Sequence, residues 1–489
     1  MVWIWTVSII DFLSFYLALT TNKFKIAMKK TVILFIFLCQ LTMVFGQSLK
    51  VSSNGRFLVK NDDSPFFWMA DTAWELFHRC DSTEVLLYLD KRAQQGFNVI
   101  QAVALAELDG LNTPNTNGDK PLMENNPETP NSPYFDYVDW VISEAAQRDI
   151  YIALLPTWGD KLFKHNWGIG PEIFNPKNAF SFGQWMGERF KSNENIIWVL
   201  GGDRNPRDDT NDVEVWHQMA QGISTAYENK DEVLMTFHPQ PKEKGGSSTW
   251  FHNAEWLDFN MHQTGHCANQ GTYNHIHHDY HLQPTKPTLD GEPLYEDHPN
   301  CFNAKELGHS TASDIRRIMY WNVFAGAFGQ SYGCHAVWQM YNLDKEGINQ
   351  PLRPWKEALN LPMANEVKHL KNLMLSRPFL SRIPDQEMIV GDQVENNDYT
   401  SATRDENGAY AMFYFPQGKA KTINLSKLKG ESFMAKWYDP RTGVSFDYKK
   451  INQKSTEVIP PSKGVGNDWV LVVDALGTNF PEPGSPIQL

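Results

Sequence analysis

Two short apolar runs in this chain each end in a glycine, a carboxylate and, within a few residues, a proline. The first reads Ile196-Ile197-Trp198-Val199-Leu200-Gly201-Gly202-Asp203-Arg204-Asn205-Pro206, and the second Leu289-Asp290-Gly291-Glu292-Pro293. Apolar runs without polar alternation suit strands buried on both faces, as in a parallel sheet under helices. The glycines allow a sharp turn, and the proline blocks renewed regular structure. Asp203 and Glu292 would therefore stand at the carboxyl ends of two buried strands, where α/β folds place their chemistry. A single Asp in a glycine-rich turn is commonly a turn-former or helix cap. Two carboxyls on one rim can do more: one protonates a glycosidic oxygen while the other attacks the sugar carbon or activates water. In a retaining arrangement the two stand roughly 5 to 5.5 Å apart. The acid's pKa should be raised by its neighbour's charge and by surrounding rings.

Further candidates gather at the same predicted rim. Asp71 and Trp74 follow the first strand and Trp158 and Lys161 the third, so all four could line a cleft; rim packing and surface ion pairing would explain them as well. His238, His262 and His335 fall at or near strand ends, where a buried, hydrogen-bonded imidazole is the plain alternative. Trp338 lies on the expected eighth strand, and the Tyr295 hydroxyl could orient Glu292. The 17 tryptophans exceed what core packing needs, and sugar clefts use such rings as stacking platforms. His262, His266, His275, His277, His278 and His281 crowd one stretch and, with Asp290, suggest a metal-dependent hydrolase as an alternative. No His-x-His follows the first strand to support it, and no metal site is assigned.

Short strand patterns alternate with amphipathic helical ones to position these residues. Strands are expected at 66–69, 98–103, 151–155, 196–201, 234–237, 257–261, 287–289 and 336–338. Between them Ser82 could cap a helix ended by Gly96, Pro133 opens another, and 178–190, 213–227 and 311–328 read as helical. Eight strand-helix units predict an α/β fold, a (β/α)8 TIM barrel. Neither a Gly-x-Gly-x-x-Gly nor a P-loop sequence favours a doubly wound nucleotide-binding sheet, and no cofactor is expected. Past residue 377, short strands at 388–390, 409–415, 422–425, 433–438, 444–448 and 469–473 predict a small C-terminal antiparallel β-sandwich. The expected domains are 1–46 as extension and signal peptide, 47–377 as catalytic barrel, and 378–489 as accessory sandwich.

A net charge of -13 without a basic stripe argues against nucleic acid as a partner. Met28-Lys29-Lys30 and the apolar residues 31–44, with Gly46 before cleavage, predict a secretory signal with Met28 as the true start. The expected product is exported, periplasmic or extracellular, without stable membrane insertion after signal removal; a membrane anchor formed by the first apolar segment is the alternative. Cys80, Cys267, Cys301 and Cys334 remain, and one or two disulfides among them are open in three full pairings.

Four motifs spanning the barrel carry a family resemblance. They are Trp68-Met69-Ala70-Asp71-Thr72-Ala73-Trp74, Leu155-Pro156-Thr157-Trp158-Gly159-Asp160-Lys161, Leu200 through Pro206 as quoted above, and Asp290-Gly291-Glu292-Pro293-Leu294-Tyr295-Glu296. With them the chain resembles the apiosidase-like glycoside hydrolases, family 140. Lys436-Trp437-Tyr438-Asp439-Pro440-Arg441-Thr442-Gly443 resembles the collagen-binding-type sandwich that follows this barrel in the family, a label that implies no collagen binding here. The resemblance implies hydrolysis of a glycosidic bond to apiose in rhamnogalacturonan II side chains, with a plant cell-wall polysaccharide or oligosaccharide as partner. It implies Asp203 and Glu292 as the catalytic pair, and analogy with related barrels makes Asp203 the acid/base and Glu292 the nucleophile. An Asp on strand four has a short reach, which leaves retention or inversion open. Because the family's substrate carries galacturonate, Arg204 or Lys161 would pair with its carboxylate. A non-catalytic glycan-binding protein on the same barrel is the other alternative.

Overall fold

A computed structural model describes residues 48–229, 232–391 and 397–487. The expected signal at 31–44 and the start at Met28 lie outside the described residues. Eight parallel strands follow one another around a barrel: β1 (Trp68–Thr72), β2 (Val99–Leu105), β3 (Tyr151–Thr157), β4 (Ile196–Gly201), β5 (Met235–His238), β6 (Asn260–Gln263), β7 (Thr288–Glu292) and β8 (Gly329–Tyr332). Six pair continuously in the order β8-β1-β2-β3-β4-β5, and β6 pairs with β7. Isolated hydrogen bonds bridge the two seams. Between β5 and β6, Met235 N–H donates to Asp258 Oδ2 at 2.7 Å and Thr236 Oγ1 donates to the Phe259 carbonyl at 2.6 Å. Between β7 and β8, Phe328 N–H donates to the Thr288 carbonyl at 3.2 Å. Strands β2 and β3 are buried along their whole length, as a sheet covered on both faces requires.

The covering helices include α1 (Ser82–Gln95), α2 (Ser132–Ala146), α3 (Pro176–Phe190), α4 (Asp212–Ser224), α5 (Tyr273–Tyr280), α6 (Ala312–Phe324) and α7 (Pro362–Leu375). Asp81, not Ser82, caps α1: its side chain accepts from Glu84 N–H while the Glu84 carboxylate accepts from Asp81 N–H. This reciprocal box satisfies two N–H groups that the helix cannot. Gly96 ends the helix at φ 90°, as expected. No helix among the described residues is long and apolar enough to cross a membrane.

The eighth strand corrects the sequence reading. It is Gly329–Tyr332, and the expected strand at 336–338 is part of a single helical turn, His335–Trp338. Gln330 and Ser331 are fully buried, because Asn322 Nδ2 donates to Gln330 Oε1 and Trp68 Nε1 donates to Ser331 Oγ. A polar strand with internal partners gives no apolar run to detect.

Beyond the barrel, β9 (Arg382–Pro384), β11 (Ser401–Asp405), β12 (Tyr410–Phe415), β17 (Trp469–Ala475), β14 (Phe433–Asp439) and β15 (Val444–Ile451) form a six-stranded antiparallel sheet in that order. A three-stranded sheet, β10 (Ile389–Val390), β13 (Lys421–Asn424) and β16 (Ser455–Val458), accompanies it. Side chains alternate along β12: Tyr410, Met412 and Tyr414 join the barrel's core, while Ala411, Phe413 and Phe415 join the sandwich's own. The strand is apolar throughout because both of its faces are covered. Arg316 grips Asp468 with two bonds, 2.8 and 2.6 Å, and Arg377 grips Asp474 with two of 2.8 Å. These bidentate pairs fix the register between the two parts.

Candidate active site

At the end of β4 the backbone turns through three residues with positive φ: Gly201 (89°), Gly202 (118°) and Asp203 (48°). A Cβ at Gly201 would meet the His238 carbonyl at 2.4 Å, and one at Gly202 the Trp158 ring at 2.6 Å. Only glycine fits either place, so the turn that lifts Asp203 over the rim depends on both. Asp203 itself holds a left-handed conformation that costs an ordinary side chain free energy, though Asp and Asn tolerate it best.

Glu292 reaches the same rim by a different device. In the β6-β7 ladder, Asp290 pairs with His262 but Glu292 pairs with Gln263, so Gly291 is an extra residue. Such a bulge re-aims the side chain beyond it. Asp290 accepts from Thr264 Oγ1 at 2.6 Å and from Asn322 Nδ2 at 3.1 Å, among buried side chains. Glu292 instead faces a cleft of about 500 Å3 shared with Asp203.

The imidazole of His238, fully buried, stands between the Asp203 backbone and the Glu292 carboxyl. Its Nδ1 accepts from the Asp203 N–H at 3.4 Å, and its Nε2 lies 3.1 Å from Glu292 Oε2. His266 Nε2 lies 3.3 Å from the other oxygen, Oε1. Burial would raise Glu292, but hydrogen bonds and charge from these two histidines overcome it and hold the carboxyl down to about 2. Asp203 moves the opposite way: burial and then the Glu292 charge raise it, against the opposing pull of Arg204 and His238. Two carboxyl groups in one cleft are thus driven apart, one toward the anion and one toward the acid.

Of the residues expected here, Trp74, Trp158, Tyr295 and Trp338 line the cleft with the two carboxyls. Tyr295 stands 4.8 Å from the His266 ring, and its buried hydroxyl neighbours Glu292, burial and that carboxylate raising its pKa. Other candidates are occupied elsewhere. Asp71 is wholly buried, accepting from Arg92 Nε at 2.6 Å and from the Tyr88 hydroxyl at 2.5 Å. Lys161 is equally buried and pairs with Asp160 at 2.7 Å, so it is not free for a uronate. Arg204 lies under the rim, donating to Asp203 Oδ2 at 3.0 Å and to the Phe163 carbonyl at 3.1 Å. Among the described residues no Lys or Arg lines the cleft. His262 pairs with Asp279 at 3.0 Å. His335 lies near the Asn349 carbonyl at 3.2 Å and packs on His298 at 4.5 Å, behind the cleft wall. Of the histidines crowded in one stretch of sequence, His266 turns to Glu292, His278 joins His262 on Asp279 at 2.8 Å, and His277 meets His281 at 3.2 Å; no group of three or more His, Cys, Asp or Glu among the described residues is disposed to hold a metal ion.

Glu107, Trp167, Gln263, His266, His298 and Phe302 also line the cleft and were not singled out as cleft residues from sequence. Trp167 Nε1 donates to Asp203 Oδ2 at 3.3 Å, from a loop with no periodic pattern. His266 and Phe302 flank the one disulfide among the described residues, Cys267–Cys301, and Cys301 N–H donates to the His266 carbonyl at 2.7 Å. Cys80 and Cys334 remain buried thiols; burial pushes Cys334 up to about 12. The cross-link closes 34 residues, worth about 3–4 kcal/mol in the chain-entropy account. Replacing both cysteines by serine is expected to lower kcat/KM roughly tenfold, because His266 loses its hold on Glu292. Kinetics with and without reductant check this, and unchanged kcat/KM would separate the disulfide from the site.

Comparison with known proteins agrees with this geometry. Residues 52–381 match the family model described as "Apiosidase-like, catalytic domain", and residues 383–474 match "Putative collagen-binding domain of a collagenase". Among solved structures, one described as a glycoside hydrolase family 5 from Bacteroides vulgatus is 32% identical, covering 90% of this chain and 96% of that one at a TM-score of 0.81. A second, described as a glycoside hydrolase, is 31% identical, covering 89% and 98% at 0.77. No curated protein matches the chain. By the match over its barrel and by these relatives, the chain belongs to the apiosidase-like family and is a glycosyl hydrolase.

Proposed function

We propose that this enzyme hydrolyses the glycosidic bond to apiose, or a similar pentofuranose, in pectic rhamnogalacturonan II side chains, with retention of configuration. The observation that carries the catalytic part is that Asp203 and Glu292 face one cleft, where burial and the neighbouring charge raise the first carboxyl's pKa while His238 and His266 lower the second's. Glu292, kept anionic by His238 and His266, attacks the anomeric carbon. The bond from that carbon to the leaving oxygen breaks, and the Asp203 proton passes to the oxygen. Asp203, now a carboxylate, takes a proton from water, whose oxygen displaces Glu292 and releases the sugar.

The walls suit a polyhydroxylated ligand. Trp167, half exposed, and the edge of Trp338 offer stacking surface, while Trp74 and Trp158 pack on each other 5.0 Å apart to back the cleft. Trp158 Nε1, Gln263 Oε1 and His266 Nδ1 are buried at the cleft without a protein partner. Buried polar atoms are normally hydrogen-bonded, so these are places for sugar hydroxyls. The family supports apiose as the sugar. Export to the periplasm or beyond rests on the basic start and apolar run at 28–44.

Incubation with a panel of pectic oligosaccharides, with and without apiose, tests the substrate. Apiose release is the expected product, and release of another pentofuranose alone would move the substrate while keeping the chemistry. An NMR reading of the first anomer formed tests retention. Full activity after exhaustive EDTA treatment is expected; its loss, restored by added metal, would favour the metal-dependent alternative.

A further inference from the structure

Glu107 is a third carboxyl in the cleft, and the mechanism above does not use it. Its backbone is held firmly: the adjoining Leu108 N–H donates to Glu75 Oε1 at 2.9 Å, and Glu75 is itself tied to His78 at 2.7 Å. The carboxyl itself accepts no hydrogen bond from a described residue. Its one charged neighbour within 4.0 Å is Arg204, whose other nitrogen donates to Asp203 Oδ2. The Glu107 side chain is 14% exposed and the Asp203 side chain 20%, so both open onto the same space. Evidence for a ligand thus comes from two sides: a mostly buried carboxyl without a hydrogen-bond partner, and the unpartnered Trp158 Nε1 and Gln263 Oε1 of the same cleft.

We propose that Glu107 is a specificity-determining residue that grips a hydroxyl group of the neutral sugar seated against Asp203. The inference rests on the glycosidase reading above. A carboxyl can donate to one sugar oxygen and accept from another while protonated, but can only accept once ionised. Groups facing Glu107 are the carboxylates of Asp203, Asp160 and Glu75 and the guanidinium of Arg204. Burial raises Glu107 first, Asp203 and Asp160 add to it, and Arg204 opposes, leaving it at about 8. Below that pH the group donates as well as accepts. As pH rises through it, the donor is lost and a second anion joins Glu292 in the cleft. An anionic sugar ring is disfavoured at this place, because the Glu292 carboxylate and two further carboxyl groups, Glu107 and Asp203, line the cleft and the neighbouring guanidinium already serves Asp203.

Steady-state kinetics of the wild type, E107Q and E107A on 4-nitrophenyl apioside and 4-nitrophenyl arabinofuranoside, from about pH 5 to about pH 9, test this. In E107A, KM should rise about tenfold at about pH 6 with a much smaller change in kcat. E107Q, which keeps a donor and an acceptor, should recover most of that loss and should lack the rise in KM that the wild type shows above about pH 8. A KM in E107A within about twofold of the wild type at about pH 6, on whichever glycoside is turned over, would overturn the proposal. Turnover of the arabinofuranoside without the apioside would displace the sugar proposed above, and the Glu107 variants would still report on Glu107.

Discussion

In the Glu292→Gln enzyme, kcat/KM is expected to fall on the order of 10⁴-fold or more, since an amide can neither attack the anomeric carbon nor leave it. Asp203→Asn is expected to lose about 10²–10⁴-fold on natural linkages, the usual worth of a general acid. The two losses separate by leaving group. An activated aryl glycoside departs without a proton, so it should restore much of the first step to Asp203→Asn and little to Glu292→Gln. Azide should then rescue Asp203→Asn by replacing water without base assistance. Activity requires Glu292 ionised and Asp203 protonated. The acid limb of the pH profile therefore follows Glu292, held down to about 2 by His238 and His266. The alkaline limb follows Asp203, raised by burial and by Glu292. Removing the Glu292 charge should lower Asp203's pKa. Unchanged hydrolysis in either single variant would refute the assignment of the pair.

Arg92→Met is expected to destabilise the fold by about 3–5 kcal/mol, the usual cost of breaking one side of a buried ion pair. Arg92 and Asp71 are both fully buried, 2.6 Å apart, and Arg92 Nη1 also donates to Gln95 Oε1 at 2.7 Å. Removing the guanidinium leaves Asp71 with the Tyr88 hydroxyl alone among its side-chain partners. The double variant Asp71→Asn, Arg92→Met should recover part of the loss, because no uncompensated charge then remains. Urea unfolding gives the free energies, and KM measured below the transition should stay near the wild-type value. A large KM change without a stability change would return Asp71 to the cleft, where its place in the motif first suggested it belonged.

The contrast between Asp71 and Asp203 shows what a sequence can and cannot settle. Both belong to buried strands' carboxyl ends at the same end of the barrel, Asp71 within β1 and Asp203 just past β4. Asp203 is lifted by two glycines into a left-handed turn, whereas Asp71 closes β1 in extended backbone and meets Arg92 from α1. The glycines were legible; the arginine's approach was not. Lys161 and Arg204 repeat the lesson, since each is claimed by an adjacent carboxylate that could equally have pointed away. The bulge at Gly291 separates Asp290 from Glu292, which in a regular strand would share one face.

The sequence by itself determined the succession of barrel strands through β7, the sandwich strands with apolar faces, and the two carboxyl groups at the ends of β4 and β7. Those features are written in hydrophobic period and in glycine and proline punctuation, which act within a few residues. Tertiary structure alone decided the polar strand β8, the Cys267–Cys301 pairing, and the placement of Glu107, Trp167 and His266 in the cleft. It also decided in which direction each carboxyl's pKa moves, because that depends on burial and on charges brought together from distant parts of the chain.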